Sequence, residues 1–367
     1  MGSKVLLDGS RLIVEACVRA GADAYVGYPI TPASLIYFYA SRRFPAVLAA
    51  PDEITALQWM AGLAAAGRLP VTATSFPGFA LMVESVNMAY MMELPMLIVL
   101  VQRMGPSTGT ATAGAQGDLF LLNGLISGGY PLPVLCIADL QDCWRLPPAA
   151  LRLAVEARTP VVLLTSKETV MTQRSFDLED LGEIEPVQRT VYEGPAPYRP
   201  YGADASLVPP FLAVGNDAHQ VRLTASTHDA AGILRHAVGE ALANTRRLPK
   251  KVAAHTPALY DLDEQKGAET LVVAYGITAE AAREAVEQLR REGTPVSLFV
   301  PRTLLPIPSV YYEILDHYPR VVVAEENLQG QLARLLFGQR LPEGVRLATE
   351  IGRMVSPARI AQEVRAG

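Results

Sequence analysis

Four short stretches carry residue types that could do chemistry, and each follows a run of apolar, largely β-branched residues. Thr31 stands in GYPITPAS, Glu53 in APDEITA, Ser75 in TATSFPGF and Arg103 in VQRMGPSTG. A hydroxyl, a carboxylate, a second hydroxyl beside a Pro-Gly turn and a guanidinium could together move a proton and bind a carboxylate substrate. Singly, each has a plain structural reading. Thr31 before Pro32 suits a helix N-cap with proline at the first helical position. Asp52 and Glu53 suit a helix start, where acids complement the dipole. Arg103 suits a strand end at the surface, and Ser107, Thr108 and Gly109 suit a turn. What favours a site is convergence, which depends on the elements that carry them.

Solid apolar runs predict strands at Ala24–Tyr28, Val47–Ala50, Val71–Thr74, Met96–Val101, Val134–Ala138 and Val161–Leu164. Apolar spacing of three and four predicts helices between them, at Ser34–Arg43, Thr55–Gly67 and Ala80–Met92. Such alternation implies an α/β fold with a parallel sheet covered by helices on both faces. Ligands of open parallel sheets bind beyond the carboxyl ends of the strands. Thr31, Glu53, Ser75 and Arg103 each lie just past a strand, so four consecutive strands would deliver them to one rim.

After about residue 167 the pattern weakens, and GPAPYRPYGADASLVPPF reads as an extended arm. A helix is expected near Ala230–Asn244, followed by Arg246, Arg247, Lys250 and Lys251 as a solvated surface or subunit contact. Alternation resumes with strands at Leu271–Ala274, Val296–Val300, Val321–Ala324 and near Arg346–Ile351. An amphipathic helix is expected over Thr278–Glu292, capped by Gly293, and a short one from Pro357. The expected organisation is therefore a domain over 1–235 with its arm, a linker over 236–266 and a smaller α/β domain over 267–367.

The net charge of -5, with acids and bases interspersed, argues against a nucleic-acid partner. Cys17, Cys136 and Cys143 form neither a CxxC pair nor a cluster-binding run, which suits a reducing cytoplasm and excludes a disulfide scaffold. No apolar run is long enough to span a bilayer, and the first twenty residues hold too many charges for a signal-peptide core. Neither GxGxxG nor GxxxxGK[ST] opens a helix, so a plain nucleotide-binding protein lacks support.

Taken together, PITP, PDEITA, TATSFPGFALM and ELPMLIVLVQRMGPSTGTATAGAQGDL closely resemble the alpha subunit of 2-oxoacid:ferredoxin oxidoreductases. VAYGITAEAAREAVEQLRREG, LLPIP and VVVAEENLQGQLARLL extend the resemblance to that family's transketolase-C-terminal-like domain, so it covers nearly the whole chain, least between 167 and 230. It implies a pyrimidine-binding domain for thiamine diphosphate. In such domains a glutamate hydrogen-bonds the aminopyrimidine ring and so promotes deprotonation of the thiazolium carbon; Glu53 matches it. Thr31 and Arg103 match positions that contact the 2-oxoacid. Pro29, Ile30, Glu53, Ser75, Phe76 and Pro77 fall where the family lines its cofactor.

The resemblance also implies partners. No GDG motif followed by asparagine is present, so no metal site is expected on this chain. A beta subunit would supply Mg²⁺, the diphosphate half-site and a [4Fe-4S] cluster, with a gamma subunit as a further possible component. Ferredoxin and coenzyme A would be co-substrates. The first substrate expectation is 2-oxoglutarate, with pyruvate, branched-chain and aromatic 2-oxoacids as alternatives. A transketolase- or dehydrogenase-type enzyme and a non-catalytic subunit are rival readings. Two features depart from the family. Phe76 replaces a glycine at a turn where a positive φ would be costly. His228, Asp229 and Gly232 fit a family glycine-x-x-His-acid-x-x-Gly element that residues 224–227 fit only loosely, and His228 reads as structural.

Overall fold

A computed structural model describes residues 4–366. β1 (Lys4–Asp8) leads into α1 (Gly9–Arg19), whose N-cap Asp8 accepts from Arg11 N at 2.9 Å. Strand and helix then alternate through β2 (Ala24–Gly27), α2 (Ser34–Arg43), β3 (Ala46–Ala49), α3 (Glu53–Ala65) and β4 (Pro70–Thr74). α4 (Phe76–Leu81), α5 (Val83–Met91), β5 (Met96–Gln102) and α6 (Leu119–Gly124) follow. β6 (Val134–Cys136), α7 (Asp142–Glu156), β7 (Pro160–Ser166), α8 (Lys167–Met171) and β8 (Gln173–Asp177) complete this half.

The six expected strands of this half are present, their limits shifted by no more than two residues. The single helix expected over Ala80–Met92 is instead α4 and α5. Met82 N bonds both Gly78 O and Phe79 O, a tightened turn that separates them. β1 and β8, which the sequence pattern did not reveal, pair antiparallel as a ribbon outside the main sheet.

The main sheet runs β12-β6-β7-β5-β4-β2-β3, all parallel except β12. Successive residues of a strand face opposite sides. Leu97, Val99 and Val101 of β5 therefore enter one core with α1, α2 and α7. Ile98 and Leu100 enter the other, with α3, α5 and α6.

Between Gly182 and Val238 the chain forms an arm without helix or strand, apart from an isolated bridge of His228 to Leu234. α9 (Gly239–His255) begins well after the helix expected near Ala230. The reason is a turn: Asp229 Oδ1 accepts from both Ala231 N and Ile233 N at 3.0 Å, and Gly232 has φ +75°. The basic cluster is likewise not a simple solvated patch. Helical spacing divides it, so that Arg246 and Lys250 point to solvent while Arg247 and Lys251 turn inward onto buried Glu93.

β9 (Tyr260–Asp263), β10 (Thr270–Ala274), α10 (Thr278–Arg291), β11 (Ser297–Pro301) and β12 (Thr303–Leu305) follow. α11 (Ser309–Leu315), β13 (Arg320–Glu325), α12 (Gln331–Phe337), β14 (Val345–Thr349) and α13 (Pro357–Arg365) end the chain's regular structure. The second sheet runs β14-β13-β10-β11-β9, with β9 antiparallel. On one face Ala279, Ala282, Ala285, Val286 and Leu289 of α10 pack with α13. On the other, Val273, Phe299 and Val323 join the core of α3 and α5. β12 leaves this half altogether and pairs antiparallel with β6 at the edge of the first sheet. A shared core and a shared sheet edge thus fasten the two halves together.

Candidate active site

β5, β4, β2 and β3 are consecutive neighbours and parallel. Their carboxyl ends therefore form one rim that bears Arg103, Ser75, Thr31 and Glu53. At the usual strand spacing it spans about 14 Å. β2 pairs with β3 on one side and with β4 on the other, so the chain reverses direction across the sheet there. That switch point, flanked by Thr31 and Ser75, is where open α/β sheets open a crevice for a ligand.

Asp52 is the N-cap of α3, its carboxylate accepting from Thr55 N at 2.7 Å, and Glu53 is the first helical residue. The helix-start reading is thus satisfied by Asp52, which leaves Glu53 free. Its side chain is buried at 6 % exposure, yet among the described residues it makes no side-chain hydrogen bond. The floor beneath it is Gly78 of α4, where a Cβ would lie 2.5 Å from Glu53 Oε1 and nearer still to Thr74 Oγ1. Ser75 is fully buried and its hydroxyl likewise has no partner.

Phe76 opens α4 and is absent from the positive-φ residues, so the turn has accommodated it. Its ring is half-buried, as is Pro77. Across the crevice, Pro29 is exposed and Ile30 half-buried ahead of Thr31.

Thr31 is not a helix cap. α2 starts at Ser34 with Ala33 as N-cap, the Thr31–Pro32 peptide is cis, and the exposed Thr31 hydroxyl lies 3.5 Å from Ser34 Oγ. Nor is Arg103 a surface residue. It is 7 % exposed, and its Nη1 donates to Thr31 O at 2.6 Å. Thr31 and Arg103 are therefore joined, as the sequence pattern suggested. Arg103 Nε is buried without a partner, and burial lowers the guanidinium's pKa. The Nε donor is thus left unused by the protein.

The loop after Arg103 folds back on itself through Met104 N to Ala113 O at 2.8 Å and Thr110 N to Met104 O at 2.9 Å. Its tip, with Ser107 at φ +57° and Gly109 at φ +49°, is exposed. Beyond Ala113 the segment is pinned on several sides. Gly114 N donates to Glu168 Oε1 at 3.2 Å. Gln116 bonds Glu326 through both its backbone and its side chain, and its Nε2 reaches Tyr275 O at 2.7 Å. Gln102 Nε2 reaches Asp118 Oδ2 at 3.2 Å, and burial raises Asp118 to about 6. Burial also raises Glu326 to about 7. None of these positioning residues was singled out from sequence. Glu168 lies just past β7, so the same strand-end rule would have found it.

His228 belongs elsewhere. It is fully buried, its Nδ1 lies 2.7 Å from Ser226 O and its Nε2 2.8 Å from Asn244 Nδ2, and it stacks on Tyr201 at 3.8 Å. That environment is structural, in keeping with the sequence reading.

Residues 15–238 match the family described as pyruvate flavodoxin/ferredoxin oxidoreductase, thiamine diphosphate-binding. Residues 268–339 match pyruvate:ferredoxin oxidoreductase core domain II. The chain is 34% identical to the 2-oxoglutarate oxidoreductase subunit KorA of Mycobacterium tuberculosis, over 94% of this chain and 55% of that protein. It is also 34% identical to the ketoisovalerate oxidoreductase subunit VorB of Methanothermobacter thermautotrophicus, over 83% of this chain and 80% of that one. Its structure superposes on 2-oxoglutarate:ferredoxin oxidoreductase from Magnetococcus marinus, solved with 2-oxoglutarate, coenzyme A and succinyl-CoA bound. The TM-score is 0.90 at 28% identity, over 100% of this chain and 65% of that one. The chain thus spans about half the length of the mycobacterial relative.

Proposed function

The chain belongs to the pyruvate flavodoxin/ferredoxin oxidoreductase family, and we propose that it is the alpha-type subunit of a thiamine-diphosphate-dependent 2-oxoacid:ferredoxin oxidoreductase. The reaction would convert a 2-oxoacid and coenzyme A to acyl-coenzyme A and CO₂, with the electrons passed to ferredoxin. The observation that carries this reading is the unpartnered, buried Glu53 carboxylate standing over Gly78, beside the joined Thr31–Arg103 pair.

These residues fit an aminopyrimidine. Ser75 Oγ and Arg103 Nε are buried polar atoms without partners, Glu53 makes no side-chain hydrogen bond, and the Glu53 side chain packs so closely on Gly78 that a Cβ there would not fit. Thiamine diphosphate supplies, when bound, a nucleophilic carbon and a sink for the electron pair left by decarboxylation. Glu53 holds a proton between its carboxylate and the pyrimidine ring nitrogen. Arg103 binds the substrate carboxylate through the guanidinium donors that Thr31 O leaves unused. Thr31 orients that guanidinium through its carbonyl and offers its hydroxyl to the substrate. Pro29, Ile30, Phe76 and Pro77 shape the walls and keep water from the reacting carbon.

The diphosphate, Mg²⁺ and a [4Fe-4S] cluster belong, in this reading, to a beta subunit, with a gamma subunit as a further component. The exposed Tyr28, Leu48, Ile54 and Trp59 near the rim support such a partner. 2-Oxoglutarate is the preferred substrate, on the relatives' names, and the ketoisovalerate relative supports a branched-chain alternative. A cytoplasmic location is supported by three buried, unpaired cysteines. Among the described residues no helix is long and apolar enough to cross a membrane.

The test is to co-purify the chain with its co-transcribed neighbour and assay iron, sulfide, magnesium, thiamine diphosphate and 2-oxoacid-dependent dye reduction. Glu53→Gln should assemble normally and lose activity by about 100-fold or more. Full activity in that variant would refute the role of Glu53, and a complex without iron would refute the ferredoxin-type assignment.

A further inference from the structure

A cavity of about 480 Å³ lies at the opposite end of the strands from the catalytic rim. Of the residues that line it, Leu69 and Pro95 immediately precede β4 and β5 and Arg158 lies two residues before β7, and the arm closes it from outside. Its volume is that of a small-molecule site, about 300–1,000 Å³. Val155, Tyr192, Val208, Pro210 and Phe211 make most of its wall apolar.

The polar groups on this wall are unevenly compensated. Arg158 is 3 % exposed, and its Nη1 donates to the carbonyls of Pro200, Pro209 and Pro210 at 3.2, 3.1 and 2.8 Å. Its Nε donates to Glu93 O at 3.3 Å. Among the described residues no carboxylate lies within 4.0 Å of its guanidinium and no acceptor meets Nη2. The nearby acid, Glu93, is already taken by Arg247 and by Lys251 at 2.6 Å. Three buried or half-buried cations therefore surround one carboxylate. Near the mouth Arg68 and Arg189 both pair with Asp23, each at 3.3 Å, and are screened by solvent. Glu156 and Glu193 also line the cavity, but both are exposed and so are screened by solvent, whereas Arg158 is not. Phe211 lies against the guanidinium, 5.4 Å from ring centroid to its carbon, and so extends the apolar wall up to the charge.

We propose that this cavity binds a small carboxylate with an aryl or branched-alkyl body, its anionic end on Arg158 and its apolar end between Tyr192, Phe211 and the proline wall. A buried guanidinium with an unused donor, facing an apolar space, is the arrangement that recognises such an amphipathic anion. Occupancy would tie the arm to the base of β4 and β5, the strands whose other ends carry Ser75 and Arg103. The site stands apart from the catalytic reading and does not depend on it.

The experiment is calorimetric titration of the full chain, in complex with its co-purified partner, using 4-phenylbutyrate and its uncharged counterpart 4-phenylbutanol. The acid should bind saturably and at least about tenfold more tightly than the alcohol, the effect of one charge-assisted hydrogen bond. Excess 2-oxoacid should not displace it. Val191→Trp, which fills the cavity from its exposed wall, should abolish binding without lowering the thermal midpoint. Arg158→Lys keeps the charge and loses the fork, and should weaken the acid while leaving the alcohol unchanged. Equal affinity for acid and alcohol, displacement by 2-oxoacid, unaltered binding in Val191→Trp, or no saturation by about 10 mM would each overturn the proposal.

Discussion

Replacing Gly78 by alanine tests whether the space beneath Glu53 is kept for chemistry. The new Cβ would sit 2.5 Å from Glu53 Oε1 and 2.7 Å from Glu53 Cγ, and closer still to Thr74 Oγ1. Overpacking of this kind costs about 1–3 kcal/mol. Gly78 lies within α4 and has no positive φ, so alanine also brings a helix gain of about 1 kcal/mol. The net loss of stability is thus about 0–2 kcal/mol; Glu53 Oε1 can swing away, whereas Thr74 Oγ1 belongs to a fully buried, β-branched side chain. The displacement falls on the carboxylate. If Glu53 Oε1 loses one charge-assisted hydrogen bond to the pyrimidine, the cost is about 1.5–3 kcal/mol, or about 10–100-fold in kcat/KM. The assay is anaerobic reduction of a low-potential dye by the purified complex with 2-oxoacid, coenzyme A and saturating thiamine diphosphate, alongside a thermal melt. Combining Gly78→Ala with Glu53→Gln should cost little beyond Glu53→Gln alone, since both act through one group. Activity within about twofold of the parent, in a variant that melts normally, would refute the reasoning.

Two further predictions concern the frame around the site. Burial raises Glu326 from 4.5 to about 7, so the folded state holds its proton more tightly than the unfolded chain does. The stability this gives is present below pH 4.5 and is lost as pH rises to about 7. Glu326→Gln should flatten that part of the pH–stability profile, as read by thermal melts. Lys251→Met leaves Glu93 still paired with Arg247 but removes the Lys251 hydrogen bonds to Glu93 and to Arg158 O, and should destabilise by about 1–3 kcal/mol in denaturant titration. Arg246→Met, on the solvent side of the same helix, should stay within about 0.5 kcal/mol.

The rim was legible in the sequence because strand ends are marked by a change from solid apolar runs to polar residues. Parallel order then places those ends together whatever lies between them. Thr31, Glu53, Ser75 and Arg103 follow from that rule alone, and their nearness needs only the adjacency of β5, β4, β2 and β3. Local chemistry was a poorer guide where two roles compete for one residue. The cap signal at Thr31 was strong, yet Ala33 caps α2 and Thr31 gives its carbonyl to Arg103. The acidic helix start at residues 52–53 was read correctly, but only the structure shows the division of labour, with Asp52 capping and Glu53 unpartnered. Contacts between elements far apart in the chain left no local mark at all. Nothing near Lys251 announces Glu93, 158 positions earlier, and the two basic pairs, Arg246-Arg247 and Lys250-Lys251, look solvated until helical spacing turns one of each inward. Gln116 is the same case, since its partners Tyr275 and Glu326 come from the other half of the chain. The groups gathered on the rim are therefore set by strand order, which the pattern reveals. The groups that pin the segment around Gln116 are set by packing between the halves, and these appear only once the fold is formed.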